Sequence, residues 1–252
     1  MGKNLLLYAT DSSDYYASSA LIKQVASFCG DLQGGVVCIS PASSGTPAKK
    51  KDATSIKMGH EVCENLTADI IIDYAIQKKA SFIAIRVGEY RLETIASKLL
   101  KKTPVPTMVL KGETLKVPLM DHVVYATDWS DTSEEALKFI IQLGTHIREL
   151  EVIHVINQKL TVKDMRHLKE RLQSTRELCL DAGIDAEAHI YAGEVAEEIV
   201  TASRDYKTTA IIMSARQRRP FMHRLFTKSI PCDVMLNSTV PVAIIPSKNQ
   251  GQ

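Results

Sequence analysis

Two copies of one strand-and-turn block dominate the chain. Asn4-Leu5-Leu6-Leu7-Tyr8-Ala9-Thr10-Asp11 aligns without a gap on Asp121-His122-Val123-Val124-Tyr125-Ala126-Thr127-Asp128, and both copies continue into Ser and Asp residues, Ser12-Ser13-Asp14 and Trp129-Ser130-Asp131. The copies lie 117 residues apart, far longer than a solenoid unit, so the repeat implies two homologous domains and not an array. At 252 residues the chain has room for two α/β units. The boundary falls at Gly112 to Pro118, giving domains over 1–113 and 119–248.

The second repeat carries the clearer pattern. Val123 to Ala126 is a short apolar run, after which Thr132 and Glu135 are spaced as a capping box for a helix to about Thr145. Glu151 to Ile156 reads as a strand. Val162, Met165, Leu168, Leu172, Leu178 and Cys179 recur at helical spacing and predict a long amphipathic helix ending near Gly183. A strand over Ala186 to Tyr191, a helix over Glu194 to Tyr206, a buried strand over Thr209 to Met213, a helix to about Asn237 and a last strand over Val240 to Ile245 complete the order. Alternating strands and helices predict a doubly wound parallel sheet in each repeat. The first repeat follows an abbreviated plan, with strands near 4–10, 34–39, 81–85 and 105–110 and helices near 14–29, 67–79 and 91–102. Residues 41–56, small, polar and basic, predict a flexible loop.

No apolar run reaches the length of a membrane span, and Met1-Gly2-Lys3-Asn4 leads straight into a strand, so a cytoplasmic protein is expected. Five cysteines form no close pair and read as reduced thiols. A net charge of +2 is too small to argue for nucleic acid as a partner, and nucleic-acid binding is the weakest reading. Catalytic signatures are scarce: the chain has no Gly-x-Ser-x-Gly, His-Glu-x-x-His or Cys-x-x-Cys, and His60-x-x-Cys63 is half a metal site. His154 reads as a core or turn histidine.

The strand ending in an Asp-x-Ser turn, the α/β plan, and the endings Val105-Pro-x-Met-Val-Leu110 and Val240-Pro-Val-Ala-Ile-Ile245 together resemble the universal stress protein family in its tandem form. The resemblance implies a Rossmann-like domain whose first-strand Asp contacts an adenine nucleotide. It also implies a loop after the fourth strand, Gly, two residues, Gly, nine residues, Gly, then Ser or Thr, that cradles the phosphates. Here Ser214 stands at the first glycine, Gln217 or Arg218 at the second and Lys228 at the third, with Ser229 retained. A β-carbon obstructs the close approach such loops need. In the first repeat, Arg86 to Thr94 is shortened and sets Glu89 and Glu93 where phosphates would lie. The chain thus resembles the family's class without the motif, and a non-enzymatic stress-response, signalling or binding role is expected. The alternative is an adenine-nucleotide-binding protein or ATPase using the second repeat.

Each candidate site residue has two readings. Asp11 and Asp128 stand at the ligand edge of a parallel sheet, or serve as turn caps. Lys207, Arg216, Arg218, Arg219, Arg224 and Lys228, with no acid between them, form a phosphate-binding loop or a solvated basic turn. With Ser214 and Ser229 they delimit a nucleotide or anion site for ATP or AMP in the second repeat: Asp128, Ser214, Arg216, Arg218, Lys228 and Ser229. Asp14 and Asp131, beside Asp11 and Asp128, could hold Mg²⁺ or serve the helix dipole. Trp129 could stack on a base or lie between the repeats. Following the family's dimers, the apolar last strands are expected to pair the two repeats within one chain, with a further homodimer left open.

Overall fold

The computed structural model describes residues 5–11, 19–28, 35–41, 58–86, 88–111, 118–215 and 229–247. The chain divides into two compact units, Met1–Leu115 and Lys116–Gln252.

The first unit contains β1 (Leu5–Thr10), α1 (Ser19–Phe28), β2 (Gly35–Pro41), β3 (Met58–Cys63), α2 (Ala68–Gln77), β4 (Phe82–Arg86), α3 (Glu89–Lys102) and β5 (Thr107–Val109). Its strands lie in the order β3-β2-β1-β4-β5, every pair parallel. Such a sheet is covered on both faces, which is why Leu6 to Ala9 and Phe82 to Ile85 are apolar without alternation and buried along their length. The strand β3 was not anticipated from sequence. Gly59, His60 and Val62 are exposed on an edge strand, so Met58 to Cys63 lacks the apolar signal of its neighbours. Most of the predicted loop over 41–56 lies outside the described residues; Pro41 ends β2.

The second unit contains β6 (His122–Ala126), α4 (Asp131–Leu143), β7 (Glu149–Ile156), α5 (Val162–Asp181), β8 (Asp185–Ala192), α6 (Val195–Asp205), β9 (Ala210–Ala215), α7 (Ile230–Asn237) and β10 (Val242–Pro246). The order is β10-β9-β6-β7-β8, again all parallel. Thr161 and Asp164 form a capping box at the start of α5, and Gly183, at φ +79°, ends it while Ile184 donates back to the Cys179 carbonyl. The buried stripe of α5 is Leu168, Leu172, Thr175 and Cys179, whereas Val162 and Leu178 of the predicted stripe are exposed. The expected Thr132/Glu135 capping box is absent. The N-cap of α4 is Ser130, Thr132 is buried inside the first turn, and the Glu135 carboxylate pairs with Lys138. No helix among the described residues is long and apolar enough to cross a membrane.

Tyr125 ties β6 to α4. Its ring is buried, and its hydroxyl donates to the Ser133 carbonyl at 2.6 Å. Burial pushes the phenol up to about 12, against the lowering effect of hydrogen bonds to Thr127 and Ser133. Because the folded value lies above the unfolded one, the stability this group contributes is complete below pH ~10 and declines as pH rises toward ~12. Tyr125→Phe should cost about 1 kcal/mol at pH 7 through the lost hydrogen bond. That deficit should shrink between pH ~10 and ~12, where the wild type must ionise or unfold. Urea midpoints for both proteins at three pH values check this, and a deficit constant across that range would contradict it.

Candidate functional site

In the second unit the chain leaves β6 toward β7 on one side and returns through β9 on the other. Strand ends that part in this way leave a crevice at the carboxyl edge of the sheet. A cavity of about 420 Å³ occupies it, bounded by the ends of β6, β7 and β9, Val195 and Ile199 of α6, and Ile230 and Pro231 of α7. Its walls are largely aliphatic, with Ile153, Leu160, Ile199 and Met213 among them. The polar contribution comes from Thr127, Asp128, Thr132, His154, Asn157, Gln158 and Ser214.

Asp128 organises the rim. Its Oδ1 accepts from the Ser130 amide at 3.0 Å and from the Ser130 hydroxyl at 2.6 Å. This turn carries Trp129 at φ +50°, with its amide donating to Thr127 Oγ1. Since the Ser130 proton goes to the carboxylate, Ser130 Oγ accepts from Thr132 Oγ1 at 2.8 Å, and Thr132 accepts in turn from Ser214 Oγ at 3.5 Å. The hydroxyls therefore point one way, Ser214 to Thr132 to Ser130 to Asp128, along the cavity mouth. Ionisation of Asp128 polarises the series. The same geometry explains the missing box on α4: Ser130 and Thr132 turn their hydroxyls to the rim.

His154 was read from sequence as a core or turn residue, and the structure sets it half-buried in the cavity wall. A carbonyl oxygen only accepts, so the 2.9 Å contact from Nδ1 to the Thr127 carbonyl fixes the proton on Nδ1. The indole of Trp129 stacks on the imidazole at 4.5 Å between centroids, its Nε1 donates to Thr175 Oγ1 at 3.3 Å, and the Arg171 guanidinium stands 6.0 Å over the ring. Trp129 thus lies between His154 and α5, within its own unit.

Of the residues predicted for an anion site, Asp128 and Ser214 converge through Thr132. Ser229 caps α7, accepting from the Cys232 amide at 3.3 Å, immediately before the cavity-lining Ile230 and Pro231. Arg216, Arg218 and Lys228 lie outside the described residues. Asp131 opens the first turn of α4, where its charge complements the helix dipole. Asn157 and Gln158 escaped the sequence reading because nothing in their pattern distinguishes a strand end at a crevice from an ordinary turn.

At the equivalent edge of the first unit the first-strand carboxylate is engaged by the backbone. The two oxygens of Asp11 accept from the Gly88 amide at 3.1 and 3.2 Å, and α3 begins one residue later. The first-strand carboxylate here fastens β1 to the amide that a phosphate loop would offer to a ligand. His60 and Cys63 both meet Ser40 of β2, the ring at its hydroxyl (3.0 Å) and the thiol donating to its carbonyl (3.4 Å). They serve the strand pair.

Asp11→Ala should therefore destabilise the full chain by about 1.5–3 kcal/mol, the range for hydrogen bonds to charged groups. Asp128→Ala, at an exposed turn, should cost less than about 1 kcal/mol. Denaturant titrations of both variants check the contrast, and equal losses would refute it.

The family model described as the universal stress protein family matches residues 120–246. None of the curated proteins matches. Among solved structures, a universal stress protein from Archaeoglobus fulgidus DSM 4304 aligns with TM-score 0.69 at 18% identity, over 99% of this chain and 98% of its own. A functionally unknown protein from Pseudomonas aeruginosa PAO1 aligns with TM-score 0.63 at 14% identity, over 98% and 94%. An Archaeoglobus fulgidus universal stress protein solved in complex with dAMP matches 50% of this chain and 98% of its own, with TM-score 0.40 and 22% identity. With the family model spanning half of its length, including all of the second unit's strands and helices, the chain belongs to the universal stress protein family.

Proposed function

We propose that the protein is a non-catalytic, tandem universal stress protein that binds an adenine nucleotide in its second unit and none in its first. The observation that carries this reading is the asymmetry between the two switch points: Asp128 faces a cavity of about 420 Å³, whereas Asp11 is held by Gly88. The volume lies within the ordinary range for small-molecule sites. Aliphatic walls suit the faces of a purine, and the end of β7, from Val155 to Gln158, offers backbone groups along its edge. An exposed carboxylate only accepts, so Asp128 suits sugar hydroxyls. The phosphates would then lie toward Ser229 and the start of α7, and we assign to Arg216, Arg218 and Lys228 the task of supplying charge in place of the family's glycines. The absence of catalysis is supported by the environment of His154, the one imidazole among the described cavity residues, whose Nδ1 proton and ring face are taken up by Thr127 and Trp129.

The test uses purified full-length protein and calorimetric titration with adenosine, AMP and ATP, read in parallel by the fluorescence of Trp129, the chain's single tryptophan. One AMP per chain is expected. Asp128→Ala should weaken adenosine and AMP alike by roughly 10- to 150-fold, the equivalent of one charge-assisted hydrogen bond. Arg216→Ala and Arg218→Ala should weaken AMP while leaving adenosine unchanged, and added salt should do likewise. ATP should be recovered intact after incubation. Two AMP sites per chain, or unchanged affinity in Asp128→Ala, would refute the assignment, and turnover of ATP would move the protein to the enzyme class.

A further inference from the structure

Glu151 stands where an apolar residue is expected. It lies on β7, between β6 and β8, yet its carboxylate is buried. An isolated buried carboxylate is costly, and here two imidazoles answer it from the flanking strands. His122 Nε2 lies 2.8 Å from Oε1, and His189 Nε2 lies 2.7 Å from Oε2. The register pairs His122 with Glu149, Glu151 with Glu187 and Ile153 with His189, so all five polar side chains stand on one face of the sheet. Tyr206, at the end of α6, covers this face, its ring 4.9 Å from that of His189 and 6.5 Å from that of His122.

Three carboxylates meet two imidazoles here. Glu149 is partly satisfied elsewhere, by Arg148 and by His122 Nδ1 at 3.3 Å. Glu187, exposed on the edge strand β8, approaches His189 Nε2 at 3.7 Å. One ligand atom from each of Glu151, Glu187 and His189 lies within 4.8 Å of the other two.

We propose that Glu151, Glu187 and His189 bind a divalent transition-metal ion of the zinc class, independently of any nucleotide. Donors about 2.1 Å from a shared ion stand about 3.0–3.4 Å from one another in octahedral or tetrahedral geometry, and the observed 2.7 and 3.7 Å bracket that spacing. One imidazole with carboxylates selects zinc, manganese, iron, cobalt or nickel over the all-oxygen preference of calcium and magnesium.

The surroundings match what metal ligands need. The other ring nitrogen of His189 meets the Tyr206 hydroxyl at 3.2 Å, and the second oxygen of Glu151 is held by His122. When Nδ1–H donates to Tyr206, the Nε2 lone pair faces a carboxylate oxygen 2.7 Å away. Two acceptors at that distance require a cation between them. Exposure of Glu187 leaves an entry path from solvent and lets that ligand close on the ion. A proton on Nε2 satisfies the same contact without metal, with Tyr206 donating to Nδ1, and the experiment must separate the two.

The test uses untagged full-length protein treated with chelator. It is titrated with Zn²⁺ by calorimetry and with Co²⁺ by visible absorption, which reports coordination directly. One ion per chain is expected, with a Co²⁺ spectrum displaced by excess Zn²⁺. His189→Ala and Glu187→Gln should each weaken binding at least tenfold, and Tyr206→Phe, which removes an outer partner, by roughly tenfold. Zn²⁺ should raise the thermal midpoint of wild type and leave that of Glu187→Gln unchanged. Glu187 is exposed, so this variant separates loss of a ligand from loss of the fold. Absence of binding would overturn the proposal, leaving a hydrogen-bonded network. So would affinity that persists in both His189→Ala and Glu187→Gln, which places the ion elsewhere, for example on the exposed His167 and Glu170.

Discussion

Parallel pairing is the constraint on which both units depend. A strand that must lie parallel to the one before it cannot return by a hairpin, so the chain crosses a face of the sheet between strands. Where successive crossings use opposite faces, the central strand parts from its neighbour and a crevice opens at the carboxyl edge. The order β3-β2-β1-β4-β5 and its counterpart β10-β9-β6-β7-β8 place that opening beside β1 and β6. Each of these strands delivers an Asp to it. The strand order repeats, and what differs is the use made of the opening.

Chain length after the fourth strand separates the two uses. Between β4 and α3 only Val87 and Gly88 intervene, which brings an amide to 3.1 Å from Asp11 and satisfies the carboxylate internally. Between β9 and α7 the connection runs from residue 216 to 229, and Asp128 turns to Ser130 on its own strand end. The cavity persists beside it. One carboxylate thus holds two strands together, while its counterpart orders a line of hydroxyls along a concave surface.

The polar character of the second unit is not confined to this edge. His122, Glu151 and His189 stand on the face covered by α6, in a sheet whose central strands are otherwise largely apolar. A buried carboxylate between two imidazoles contributes little net stability compared with well-packed apolar residues. Tyr206 meets the other ring nitrogen of His189, and Glu187 stands exposed beside it.

Local pattern in the sequence determined the repeat, the strand and helix order of the second unit, the end of α5 at Gly183 and the position of Asp11 and Asp128 at strand ends, because periodicity, capping and apolar runs act over a few neighbouring residues. The edge strand β3 escaped because exposed positions carry no apolar signal. The expected cap at Thr132 failed because Asp128 and Ser214, the latter 82 residues away, compete for the hydroxyls at the start of α4. Only the tertiary structure could decide that Asp11 reaches Gly88, that His154 lies between a cavity and Trp129, and that Glu151 gathers His122 and His189. Each depends on strand order and register, which bring together residues between 25 and 77 positions apart, and no local pattern encodes which strands become neighbours.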